Sequence, residues 1–177
     1  MKTIDKYLFQ ALDNYPFWLE GTIESLDYAF SYDSKNTMVL CLYGRIQAEQ
    51  LMNYEEAKSY FQEALSINIH ALEVYPHYLQ TLIVNEDYEE AQKLIDFALT
   101  IKGINKSDIY TKKAILLEVQ HKFKEALKEI KQAKLYSIQH DYDSGINDVE
   151  KRIKDKVALL KKKKPKKDKK DSKKKSK

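Results

Sequence analysis

Apolar positions along this chain recur at helical spacing, not in alternation. Ile4, Tyr7, Leu8, Ala11, Leu12 and Tyr15 mark one face, and Ile23, Leu26, Ala29 and Phe30 a second. Leu40, Tyr43, Gly44 and Gln47 fall at i, i+3, i+4, i+7, as do Tyr75, Tyr78, Leu79 and Leu82, and Tyr110, Lys113, Ala114 and Leu117. Each such run predicts an amphipathic helix. Pro16 is expected in the first turn of the second helix, where a missing N–H costs nothing. Pro76 predicts a late start or a small kink in a helix that would otherwise begin near His70 or Ala71.

The pattern also repeats. Asn53-Tyr54-Glu55-Glu56-Ala57 returns as Asp87-Tyr88-Glu89-Glu90-Ala91 and, more loosely, as Lys122-Phe123-Lys124-Glu125-Ala126, so the alanines are 34 and 35 residues apart. Phe61, Ala64 and Leu65 follow the first alanine, Ile95, Ala98 and Leu99 the second, and Ile130 and Ala133 the third. Each unit reads as helix, tight turn, helix. Asn53 and Asp87 are suited to cap the second helices, and the Glu pairs behind them suit the positive end of the helix dipole. The unit starting at Leu40 carries one extra residue in the turn that follows. Small residues let paired helices approach, a larger side chain fills the space beside them, and stacking buries what one hairpin leaves open.

This pattern of small, aromatic and small residues over 34 positions resembles the tetratricopeptide repeat (TPR), most closely over residues 38–136. No repeat has the family's Trp or its closing Pro, Lys113 stands where a packing leucine is usual, and Ile95 and Ile130 replace an aromatic. The resemblance implies an all-α, right-handed superhelical stack of about four hairpins with a C-terminal capping helix. The expected domain is 1–160, with approximate units 2–36, 37–69, 70–104 and 105–138. Ile146, Val149, Ile153, Val157 and Leu160 mark a capping helix at 145–162, and 163–177 are expected to be a disordered Lys-rich tail.

Charge adds a polarity that the net of +4 conceals. Residues 161–177 hold 12 Lys and 2 Asp, whereas residues 1–160 hold 19 basic and 25 acidic residues. The tail has neither an aromatic for base stacking nor an arginine for bidentate phosphate contacts, so any polyanion binding would be non-specific and salt-sensitive. Its candidate contacts are Lys161, Lys162, Lys163, Lys164, Lys166, Lys167, Lys169, Lys170, Lys173, Lys174 and Lys175.

Chemistry is sparse. Gly21, Gly44, Gly103 and Gly145 stand apart and form no phosphate loop, and there is no H-E-x-x-H or G-x-S-x-G. The lone Cys41 excludes an internal disulfide and a cysteine zinc cluster. His70, His77, His121 and His140 are too few and too scattered to imply a metal site. The expectation is therefore a non-enzyme without metal or cofactor. No secretory signal or membrane-spanning segment is apparent, so the expected location is the cytoplasm.

In TPR arrays the first helices line a concave groove that holds a partner. Side chains between the packing positions should face it: Arg45, Glu73, Gln80, Ile83, Asp108, Thr111, Ile115 and Glu118, with Cys41 beside Arg45. Arg45 is the one cation in that set, so a basic or amphipathic protein segment is the expected guest, not a small-molecule substrate. The expected function is a protein-interaction adaptor or scaffold. The alternative is a nucleic-acid- or ribosome-associated protein anchored by its tail on RNA, DNA or another polyanion.

Overall fold

The computed structural model describes residues 6–138 and 144–162, and all regular structure among them is helical. The helices are α1 (Lys6–Asn14), α2 (Leu19–Tyr32), α3 (Thr37–Arg45), α4 (Tyr54–Ile67), α5 (Val74–Val84), α6 (Tyr88–Ala98), α7 (Lys106–Val119), α8 (Phe123–Tyr136) and α9 (Ser144–Lys162). Each of the first four pairs forms a hairpin, and successive first helices α1, α3, α5 and α7 also touch one another. The arrangement is an all-α stack of TPR-like helical hairpins. The tail beyond Lys162 and its candidate lysines from Lys163 onward lie outside the described residues.

The repeat alanines carry the packing. Ala57, Ala64, Ala91, Ala98, Ala126 and Ala133 are all fully buried, as are Phe61 and Ile95, with Ile130 nearly so. A continuous core runs from α3 to α7 around Tyr75, Leu79 and Leu82. A second cluster joins α1, α2 and α3 around Leu26 and Val39. A third seats Ile146, Val149 and Ile153 of α9 on α7 and α8. Lys113, at the position of a packing leucine, reaches across to Glu129 of α8 at 3.5 Å, so an ion pair replaces the apolar contact.

The prolines act differently from one another. Pro16 lies in the turn and α2 begins only at Leu19, so it ends the first hairpin helix rather than opening the second. Pro76 sits in the first turn of α5, which starts late, at Val74; the chain from Asn68 to Glu73 makes turns instead of helix.

The extra residue of the second unit has a specific location. After α3 the helix widens into a π-helical turn, Ile46–Gln50. In the next two hairpins the turn closes with Asp87 N–H on Leu82 C=O and Lys122 N–H on Leu117 C=O, five residues back. The corresponding bond here runs from Asn53 N–H to Gln47 C=O, six residues back. The wider turn absorbs the insertion, and the following helix keeps its packing phase.

The three turns share one backbone device. Met52, Glu86 and His121 each adopt a left-handed conformation (φ 54°, 64° and 60°) just after the first helix. Such a residue closes a helix C-terminus and is usually glycine. Asn53 caps α4 by accepting from Glu56 N–H. Asp87 does not cap α6, because its carboxylate is held by Lys58 Nζ at 2.8 Å and Asn85 Nδ2 at 2.7 Å. That contact ties the second helix of one unit to the turn of the next.

Gly44 marks a tight helix crossing. A Cβ there would lie 2.7 Å from the ring of Phe61, which is fully buried and has no space to retreat. Overpacking of this kind costs about 1–3 kcal/mol, against a helix-propensity gain of about 1 kcal/mol for Gly to Ala. Gly44→Ala should therefore lower the urea midpoint. Gly145→Ala, where a Cβ meets nothing within 4 Å, should leave it unchanged or raise it. At the left-handed turn positions the sign is opposite: Glu86→Gly should stabilise by up to about 1 kcal/mol, measured the same way.

Candidate functional site

The side-by-side first helices α3, α5 and α7 present one shared face, and polar contacts cross it from end to end. Thr37 of α3 donates to the Glu73 carboxylate (3.4 Å), next to α5. Arg45 contacts Glu49 at 3.4 Å and lies 4.5 Å above the ring of Tyr15. Tyr15 in turn donates to Glu49, and His77 Nδ1 of α5 lies 3.6 Å from the same carboxylate. Further along, Lys112 of α7 donates to the Gln80 side chain at 3.0 Å. The face is a mixed-charge strip with cations at Arg45 and Lys112 and anions at Glu49, Glu73 and Asp108.

Each sequence-predicted residue of this face has a definite place. Arg45 and Gln80 are half-buried and lie on the strip, with Glu73 exposed at its edge. Asp108 and Thr111 are half-buried and line a cavity of about 820 Å³ with Tyr136, Ile138 and Ile146. Thr111 donates to Ser107 C=O at 2.8 Å. Burial raises the Asp108 carboxyl above its usual range, with Lys112 opposing. Ile115 is half-buried against two core clusters.

Two predicted residues are elsewhere. Ile83 belongs to the core, because α5 turns that side toward its neighbours. Glu118 is 2% exposed and serves the cap: Arg152 grips it bidentately at 2.9 and 2.7 Å, and Lys156 donates at 2.6 Å. Burial works against its charge, but these hydrogen bonds outweigh burial and hold the carboxyl below its usual range. A helical wheel of α7 alone could not show that α9 would cover this position.

Sequence reasoning missed Glu49, His77 and Lys112. Lys112 neighbours the predicted Thr111 and shares its side of α7. Glu49 owes its place to the π-helical turn, whose sole sequence signal is the extra residue. Cys41 is buried and burial pushes its thiol up to about 12, the opposite of an activated nucleophile. Among the described residues no group of three or more His, Cys, Asp or Glu is placed to hold a metal, and no helix is long and apolar enough to cross a membrane.

No family model matches the sequence, and no curated protein matches it. Among solved structures, the chain is similar to one described as the functional characterization of Pseudomonas aeruginosa PilF, a TPR-containing protein. The TM-score is 0.62 at 17% sequence identity, over 89% of this chain and 76% of that one. The likeness is one of fold, a TPR-like stack.

His77 gives this face a pH signature. Burial, with Arg45 and Lys112 nearby, pushes its imidazole down to about 4, against the pull of Glu49. Between pH 6.5 and about 4 the unfolded chain therefore binds a proton that the folded chain refuses, and stability falls as pH falls. Urea midpoints at pH 7, 5.5 and 4.5 should decline, and His77→Gln should make that decline shallower.

Proposed function

We propose that this protein is a non-enzymatic cytoplasmic scaffold that holds a segment of a partner protein along its first-helix face. The observation that carries the reading is the mixed-charge strip of Arg45, Glu49, His77, Gln80 and Lys112 across α3, α5 and α7. Alternating cations and anions over apolar flanks fit an amphipathic helix or extended peptide bearing both signs of charge, better than a purely basic one.

A second reading has a specific observation behind it. Lys124, Lys128 and Lys131 are exposed at i, i+4, i+7 along α8, a folded basic stripe that could work with the tail on a polyanion.

Photo-crosslinking with a benzophenone side chain at Gln80 or Thr111, followed by mass spectrometry, tests the first reading. Partner adducts should form there and be absent with the probe at Ser59 on α4. Arg45→Glu with Lys112→Glu should cut adduct yield about tenfold or more. Deleting 163–177 should leave it intact but abolish salt-sensitive RNA retention. Loss of the protein adducts on tail deletion would instead favour the polyanion reading.

A further inference from the structure

The two ends of the stack are chemically unlike, and they match. At the N-terminal end Phe17 is 94% exposed in the turn between α1 and α2. Trp18 beside it is 56% exposed and lies flat on Gly21, where a Cβ would fall 2.6 Å from its ring. Exposed acids surround these rings in the chain: Asp13, Glu20 and Glu24. At the C-terminal end, the turn before α8 and the last turns of α9 enclose a cleft of about 540 Å³. Its apolar lining is Phe123, Val157 and Leu160, the last 54% exposed. Lys122, Lys124 and Lys161 rim it, with Glu125 as the single acid.

The difference extends along the described helices. Residues 6–98 carry 5 basic and 15 acidic residues, whereas residues 106–138 and 144–162 together carry 14 basic and 7 acidic. Net charge thus changes sign between the third hairpin and the fourth.

We propose that the aromatic knob of Phe17 and Trp18 docks into the lysine-rimmed cleft of a second copy of this chain, joining molecules head to tail. The knob brings a desolvating apolar anchor, and its flanking acids meet the lysine rim. An isologous pairing of two knobs would oppose acid to acid, and a pairing of two clefts lysine to lysine. The heterologous arrangement is the one in which both the apolar and the charged parts find partners. Such a contact leaves a free knob and a free cleft on every dimer, so it continues into rings or chains. It uses neither the first-helix face nor its guest, and stands independently of the scaffold reading.

Sedimentation velocity of the nuclease-treated full chain tests this. Average mass should rise with protein concentration at about 50 mM salt and the rise should weaken at about 500 mM, where screening is severe. Phe17→Ser and Leu160→Ser should each weaken self-association about tenfold or more, with helical circular dichroism unchanged. An equal mixture of the two variants should give a dimer and nothing larger, since one intact knob and one intact cleft remain. If Leu160→Ser disturbs α9, Lys122→Glu with Lys124→Glu takes its place, and Glu20→Lys with Glu24→Lys on the other copy should restore the contact. A mass that stays monomeric at every concentration, association that survives either change, or a mixture that does not pair would overturn the proposal.

Discussion

Close helix approach at small residues is the constraint on which this fold depends. Where Gly44 meets Phe61, and where Ala57, Ala91 and Ala126 vanish completely from solvent, the backbones come near enough for one large side chain to seal the gap. Every unit reuses the same solution with a different filler: Phe61, then Ile95, then Ile130. Because each hairpin buries its open side on its neighbour, the array behaves as a line of nearest-neighbour contacts. The last open side needs a polar-backed helix, and α9 supplies it. Its stripe of Ile146, Val149 and Ile153 lies on the stack, and Arg152 and Lys156 neutralise the otherwise costly buried charge of Glu118.

Much of this was legible from residue spacing. Helical periodicity and the recurrence of the alanine box after 34 and 35 residues placed the small residues in helix interfaces, because burial and period are local properties of a repeating unit. What spacing could not supply was context from another unit. Glu118 faces outward on a wheel of α7, yet α9 folds over it. Ile83 looks available on α5 until its neighbours are in place. Asp87 has the chemistry of a cap, but Lys58 and Asn85 take its carboxylate first. Pro16 satisfies the rule for a helix start, yet equally the rule for a turn, and the turn won.

The candidate face was harder to read than the fold. A regular 3.6-residue period locates Arg45 and Gln80, but the π-helical turn shifts everything after Ile46 and delivers Glu49 to the strip by an irregularity. That extra residue links the sequence to the site. It brings Glu49 to the strip while Ala57, Phe61 and Ala64 of α4 stay buried like their counterparts in the next two units. A binding surface can therefore vary in a stack of this kind while the small-residue crossings that hold it stay fixed, which is why fold alone leaves the guest open.

The change of sign between the third and fourth hairpins makes the folded body a molecular dipole, negative at one pole and positive at the other. A particle with that field is turned by a charged object before it touches it, so approach angle is selected during diffusion. The selection operates over about one Debye length, roughly 8 Å at physiological ionic strength. A partner of strong single-sign charge is thus met preferentially pole-first, and added salt weakens that preference.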